Sequence, residues 1–344
     1  MLDFNHKKFA LLITDRKTRK YLTDFDVAEG YVVKMDNEVV CFTDARYFSA
    51  VKPLCEKHGV KAQLFSGLDC IKDYLVNQGV EGLYVDYTKE TVSDYLEYEK
   101  WGIGLKDGSS IIKNLRSVKK DDEIEYIKKA CEIAEKAYHT AIKKVKKGIT
   151  EKWLKDEIEN LMLSMGADGI AFDTIVAFGA NAAVPHHQTG DTVLNDNTAI
   201  LVDTGCTVNG YCSDITRMAY YGTPTEKFNQ SYLAVLKANV LAEEQIRSGM
   251  SGKQADGIAR EYLKSQGLDG YFTHSLGHGI GLDIHEYPTL SPKKDDELKD
   301  GMVFSIEPGV YVDGELGIRI EDTVMLKDGK VERLFTDDKK LIII

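Results

Sequence analysis

Residues 148–169 and 249–270 align without a gap at a constant offset of 101 residues, and six of the 22 paired positions are identical. Background residue usage gives about one such identity. Each segment opens on a helix-stopping glycine (Gly148, Gly249) and continues through Ile149 or Met250 to a capping hydroxyl, Thr150 or Ser251. Each closes in a Gly-x-Asp-Gly turn. Two unrelated capped helices can share such punctuation. The residues that follow each copy also correspond, so duplication is the stronger reading. It constrains this half of the chain to an internal pseudo-twofold repeat.

At about 150 residues per domain, 344 residues imply two domains. The first ~110 residues alternate strand and helix signals, as an α/β domain does. Apolar runs at 9–13 and 61–65 and the segment 83–87 read as strands. Residues 31–33 and 38–42 flank a turn at Asp36-Asn37, and 46–58 and 68–78 read as helices. No convergent His, Cys or carboxylate cluster occurs there, so the region reads as structural or substrate-framing. A break near 113–120 leads into an apolar stripe from Ile124 to Val145, spaced by threes and fours. Asp121, Asp122 and Glu123 suit the positive end of that helix. Lys143, Lys144, Lys146 and Lys147 suit its negative end, with Gly148 as the stop. The expected domains are 1–115 and 116–344.

A formal charge of −11, from 44 basic and 55 acidic residues, argues against a nucleic-acid partner. No apolar run approaches the ~18–20 residues of a membrane span, and residues 1–20 lack a secretion-signal pattern. The six scattered cysteines lack C-x-x-C spacing and read as reduced thiols, which points to the cytoplasm.

The chemistry concentrates after each repeat. Asp203 and Asp214 flank a turn around residues 208–210, beside the Asn209-Gly210 hairpin signal. They are expected near opposite one another, with Cβ atoms about 4.5–5.5 Å apart. Glu307 and Glu321 are centred on Gly314 and form a second like-charged pair. Opposed carboxylates in apolar strands require a cation between them or a proton on one. Between the pairs lies His274-Ser-Leu-Gly-His278-Gly-Ile-Gly281, with His285 shortly after. Its three glycines allow close backbone approach. Five of the eight histidines fall at 186, 187, 274, 278 and 285. Four carboxylates and an imidazole suit two divalent ions, Mn2+ or Co2+ first and Zn2+ or Fe2+ next. Cys206 and Cys212 are near in sequence, but thiolates do not match so oxygen-rich a set.

These residues carry a resemblance. Pro185-His186, the Asp203/Asp214 hairpin ending Ser-Asp-Ile-Thr-Arg217, the His274–Gly281 loop, Glu307-Pro-Gly309 and Arg319-Ile-Glu-Asp322 occur in order over about 220 residues. That half resembles the catalytic domain of the "pita-bread" metallopeptidases: methionine aminopeptidase, aminopeptidase P and prolidase, with the non-metal enzyme creatinase. The implied fold is an α/β N-terminal domain followed by an α+β pita-bread (creatinase/aminopeptidase) catalytic domain. The front ~115 residues resemble the N-terminal domain of prolidases and aminopeptidases P, and Arg319 points to that proline-specific branch.

By resemblance, Asp203, Asp214 and Glu321 hold one metal and Asp214, His278, Glu307 and Glu321 the other. A water shared by the ions is then the nucleophile. Glu307 accepts its proton, His285 bonds the developing oxyanion and His186 contacts the scissile amide. His274 and Arg319 shape the proline side, and His187 is a structural neighbour. The expected substrate is a proline-containing peptide cut at the N-terminal Xaa-Pro bond, as by an Xaa-Pro aminopeptidase. The alternative is an Xaa-Pro dipeptidase (prolidase) acting on free dipeptides. A catalytically dead pita-bread binding protein is a more remote alternative, disfavoured because every ligand type is present. Creatinase-like amidine hydrolysis is disfavoured on the same ground. Family precedent favours a homodimer.

Overall fold

Short apolar runs form the four inner strands of a six-stranded sheet in the first unit. The computed structural model describes residues 9–36 and 38–344. The chain divides into two compact units between Arg116 and Ser117. Asn37, half of the expected Asp36-Asn37 turn, lies outside the described residues, as do residues 1–8. Across the first sheet the strands run Lys61–Leu64, Val39–Thr43, Tyr31–Lys34, Phe9–Ile13, Gly82–Val85 and Gly104–Asp107. Tyr31–Lys34 is antiparallel to both neighbours, and the other pairings are parallel. Helices Ala45–Lys57 and Leu68–Asn77 match expectation.

Helix Arg16–Thr23 was not expected, because its residues carry no apolar stripe. It is held instead by Arg19, buried and donating to the carbonyls of Thr14, Gly30, Val27 and Ala28. Helix Val92–Glu99 and the polar edge strand Gly104–Asp107 also lie outside the expected elements.

In the second unit, helix Asp121–Ile142 ends before the lysine cluster. The chain tightens through Lys144 N→Ala141 O and Val145 N→Ile142 O bonds, so Gly148 is not the helix stop. Lys143 is the C-cap, so the cluster begins at the negative end of the helix. Lys144 and Lys147 also pair with Glu157 and Asp196.

The repeat is visible in the backbone. Thr150 caps helix Glu151–Ser164, and Ser251 caps helix Gly252–Ser265. Gly148 and Gly249 share positive φ (91° and 88°), as do Gly166 and Gly267 (98° and 71°). Equivalent bonds then join each copy to a returning loop. Gly148 N and Glu151 N donate to Leu194 O and Thr192 O, as Gly249 N and Gly252 N do to Leu298 O and Asp296 O. The copies diverge after the turn, into strand Gly169–Ile170 and a 3-10 turn at Asp269–Tyr271.

The main sheet runs Glu286–Leu290, Gly277–Gly279, Val303–Ile306, Glu321–Lys327, Ile215–Tyr221, Thr198–Thr204 and Ile175–Phe178. Its central antiparallel pair, Ile215–Tyr221 with Glu321–Lys327, takes one strand from each half of the repeat. Side chains alternate faces along a strand. The register therefore sets Asp203, Thr216 and Glu321 on one face, and Arg217 and Asp322 on the other. No helix among the described residues is long and apolar enough to cross a membrane.

Candidate metal centre

The expected opposition of Asp203 and Asp214 is off by two residues. Thr216 faces Asp203, and the adjoining ladder pairs Val208 with Tyr211. The turn is Asn209-Gly210, both at positive φ (48° and 78°), as a two-residue hairpin turn with the sheet's twist requires. That turn, rather than the midpoint of the aspartates, sets the register. A two-residue shift preserves the face, so the aspartates remain diagonal neighbours. The second pair needs no correction: Ile306 faces Asp322 and Gly309 faces Arg319, which carries Glu307 opposite Glu321 around Gly314.

One cavity of about 480 Å³ collects every site residue singled out from the sequence. Its lining includes His186, Asp203, Asp214, His274, His278, His285, Glu307, Arg319 and Glu321. Neither Cys206 nor Cys212 lines it; both are buried, with Sγ atoms on the Ala130 and Leu282 carbonyls. A comparable cavity of about 540 Å³ in the first unit has no histidine or cysteine in its lining.

His278 is brought in by close backbone packing. A Cβ on Gly277 would lie 2.0 Å from Ser305 O, and one on Gly279 would lie 2.3 Å from Tyr287 O. His278 N donates to Ser305 Oγ (3.0 Å), which itself donates to Glu307 Oε1 (3.1 Å). His278 Nδ1 lies 3.2 Å from Gly279 O, so that nitrogen carries the proton and Nε2 keeps its lone pair. Nε2 faces Glu307 Oε1 at 3.3 Å and Asp214 Oδ2 at 3.6 Å. Burial, reinforced by His285, pushes the imidazole down to about 3 and keeps it neutral.

The carboxylates are crowded and dry. Burial, then the charges of Glu321, Asp203 and Glu307, hold the Asp214 carboxyl well above its ordinary range. Burial and the charges of Glu307 and Asp203 do the same to Glu321. Burial pushes Glu307 up to about 8 although Arg319 opposes it. Asp203 Oδ1 is buried with no hydrogen-bond partner. Arg319 is the one guanidinium or ammonium in the lining, set against these four carboxylates. Acceptors facing acceptors, an orphaned carboxylate oxygen and an imidazole lone pair fit divalent cations. Ligand atoms of Asp214, His278 and Glu321 lie within 4.8 Å of one another.

A second group, Glu135, His139 and Asp337, meets the same distance test. Its oxygens are already engaged: Glu135 accepts from Thr336 and from the Asp337 amide, and Asp337 accepts from Arg217. We read it as a clasp on the C-terminal segment.

Several residues around the site were not legible in the sequence. Arg319 Nη2 donates to Asp203 Oδ2 (2.6 Å) and Nε to Thr216 Oγ1 (3.0 Å), which donates to Glu321 Oε2 (2.6 Å). Arg319 Nη1 donates to Tyr311 Oη (2.8 Å), and Tyr311 Oη lies 2.9 Å from His274 Nε2. With His274 Nδ1 on Ser275 O, the tyrosine is the donor to Nε2. Burial and Arg319 push His274 down to about 4.

Each copied helix also anchors a histidine loop. Glu151, fully buried, accepts from Phe178 N, Asn181 Nδ2, His187 Nε2 and Gly190 N, which fixes the segment around His186. Asp256 accepts from Leu276 N and Arg260, and Arg260 donates to the carbonyls of Phe272 and His274. Tyr311, at a hairpin position between Glu307 and Arg319, is the one such residue that a sequence pattern could have flagged.

Comparison with known proteins points to one family. Residues 125–328 match metallopeptidase family M24. An Xaa-Pro dipeptidase of Pyrococcus furiosus is 37% identical over 313 residues, 91% of this chain and 89% of that protein. The solved Xaa-Pro dipeptidase from Bacillus anthracis has a TM-score of 0.93 at 32% identity, covering 97% of this chain and 95% of that one. An X-Pro aminopeptidase from Thermotoga maritima has a TM-score of 0.88 at 32% identity, covering 97% of each chain.

Proposed function

The chain belongs to metallopeptidase family M24, and from that premise we propose that it is an Xaa-Pro dipeptidase, hydrolysing the bond before proline in free dipeptides. The observation that carries the reading is the single cavity lined by Asp203, Asp214, Glu307, Glu321, four histidines and Arg319. The dipeptidase names of relatives aligned along about nine-tenths of the chain or more favour the dipeptide as substrate.

In this reading Asp203, Asp214 and Glu321 would hold one divalent ion. Asp214, His278, Glu307 and Glu321, which line the same cavity, would hold a second, so Asp214 and Glu321 would serve both. Mn2+ or Co2+ suits donors that are mostly oxygen, with Zn2+ or Fe2+ next. Such ions, when bound, polarise the scissile carbonyl and acidify a water. Glu307, next to that position and steadied by Ser305, accepts a proton and delivers it to the leaving amine. His285 donates to the carbonyl oxygen as charge develops there, and His186 contacts the scissile amide. His274, neutral and bonded to Tyr311, walls the proline side. Arg319 gives its donors to Asp203, Thr216, Tyr311 and Pro185 O. Its part is therefore to hold Asp203 and Tyr311 in place. A homodimer in a reducing cytoplasm completes the reading, supported by family precedent and by six free cysteines.

The aminopeptidase reading that the sequence favoured now stands second, supported by the likeness to the Thermotoga maritima X-Pro aminopeptidase. A comparison of kcat/KM for Ala-Pro and Ala-Pro-Ala-Ala, after loading with Mn2+ or Co2+, separates them. Preference for Ala-Pro by about tenfold or more, over 1 kcal/mol of discrimination, is expected. The reverse preference selects the aminopeptidase, and no cleavage of either refutes both.

A further inference from the structure

After Gly281 the chain loops back through His285 into the strand Glu286–Leu290. Glu286 pairs across the ladder with Gly279, at a register irregularity between His278 and Gly279. Its side chain folds back over the loop it closes. A Cβ on Gly281 would lie 2.4 Å from Glu286 Oε1, and Asp283 N donates to Glu286 Oε2 at 3.4 Å. His285, the preceding residue, stands edge-on to His278 with ring centroids 4.2 Å apart. One carboxylate thus fixes the short segment that carries His285 over the metal-facing imidazole.

The counter-charge comes from 167 residues away. Lys119 Nζ lies 2.7 Å from Glu286 Oε1 and also donates to Ser117 O at 3.2 Å. The lysine side chain is 1% exposed and the glutamate 10%. Lys119 is itself pinned: its N donates to Gly301 O, and Val118 bridges to Met302. Burying and ordering a lysine is costly, so a surface charge would be the simpler choice if charge were all that was needed. Neither Lys119 nor Glu286 is among the residues that line the cavity, whereas His285 is.

We propose that the buried Lys119–Glu286 pair is the positioning device for His285, aiming its imidazole at the carbonyl oxygen of the substrate. The pair sets where the ring stands, and the ring does the chemistry. The proposal rests on the reading of His285 as the oxyanion donor. A displacement of about 1 Å in such a donor costs roughly 100-fold in rate.

The test uses the full-length, Mn2+-loaded protein with Glu286→Gln, Lys119→Met and the double variant, each made alone and in a His285→Ala background. In the wild-type background the expected loss is roughly 10–100-fold in kcat on Ala-Pro, with KM within about threefold and metal content unchanged. In the His285→Ala background the same substitutions are expected to cost less than about twofold, because their effect passes through a ring already removed. Equal losses in both backgrounds would mean a merely structural pair and would overturn the proposal. A single variant that strands one buried charge can fail to fold. The double variant is neutral at both positions and then carries the same comparison. Long-range 1H–15N spectra of the metal-free protein give a readout independent of turnover. The His285 ring signals, assigned by their loss in His285→Ala, should shift in the Glu286→Gln and double variants, while those of His187 stay. Unmoved His285 signals overturn the proposal. A wild type that cleaves neither Ala-Pro nor Ala-Pro-Ala-Ala refutes the peptidase specificity instead, and the ring signals still judge the positioning.

Discussion

Gly277→Ala adds one methyl group at the most crowded point of the metal-facing loop. The new Cβ would lie 2.0 Å from Ser305 O and 2.8 Å from Ser305 Oγ. Cβ contacts under 3.0 Å are essentially never observed, so strands Gly277–Gly279 and Val303–Ile306 must part by at least 1.0 Å. Ser305 Oγ accepts from His278 N and donates to Glu307 Oε1, so the displacement reaches two proposed ligands at once. Overpacking of this kind costs about 1–3 kcal/mol, and a ladder bond lost with it about 1 more. At about 2–4 °C per kcal/mol, Tm should fall by roughly 4–16 °C. Kinetically, a shift of ~1 Å should cost about 100-fold in kcat/KM. Scanning fluorimetry, metal content after dialysis and turnover of Ala-Pro read the three effects. Gly257→Ala is the control, since it lies in helix Gly252–Ser265 with open space around its Cβ position. It should be neutral, or stabilising by about 0.5–1 kcal/mol. A Gly277→Ala protein that keeps its metal and turns over within about threefold of wild type would refute this reasoning, as would equal damage from Gly257→Ala.

Asp214→Asn should abolish turnover and lower the content of both ions, because one carboxylate serves each; full metal content by elemental analysis would remove its bridging role. His278→Ala should lose metal and recover partly at raised Mn2+, whereas His285→Ala and His186→Ala should keep normal metal and lose roughly 10²–10³-fold in kcat. The opposite pattern in metal content would mean that the wrong histidine was assigned as ligand. Divalent ions should release protons on binding near pH 7, since Asp214 and Glu321 are held well above their ordinary range and Glu307 at about 8. Calorimetry in buffers of different ionisation enthalpy measures that release, and its absence would contradict the protonated site. By the same shifts the metal-free fold is favoured by these groups below their unfolded range of about 4 and loses that contribution as pH rises through about 8. Its Tm should therefore fall from pH 5 to pH 8.5, while that of the loaded protein should fall less.

The two hairpins show where reading a sequence succeeds. Glu307 and Glu321 were placed opposite one another because Gly314 lies at their midpoint and at the turn (φ 67°). Asp203 and Asp214 were misplaced by two residues because their midpoint is not their turn; the Asn209-Gly210 pair is. The error left the face unchanged, since side chains alternate with a period of two. Local chemistry likewise made the repeat visible, down to the Thr150 and Ser251 caps. It failed at helix Arg16–Thr23, which is stabilised by one buried arginine instead of a periodic apolar stripe.

Sequence alone determined the candidate donors, their order, the shared face of each carboxylate pair and the duplicated frame that carries them. Those properties depend on strand period, turn residues and caps, all of which act within a few residues. Only the tertiary structure decided that Arg319 holds Asp203 across 116 residues, that Tyr311 joins Arg319 to His274, and that Glu151 carries the His187 loop. The same is true of Lys119 and Glu286. These contacts depend on which strands pair, in what register, and on how closely glycines let the backbones pack. Residues far apart in sequence meet only once the whole sheet has formed, and no local pattern encodes that meeting.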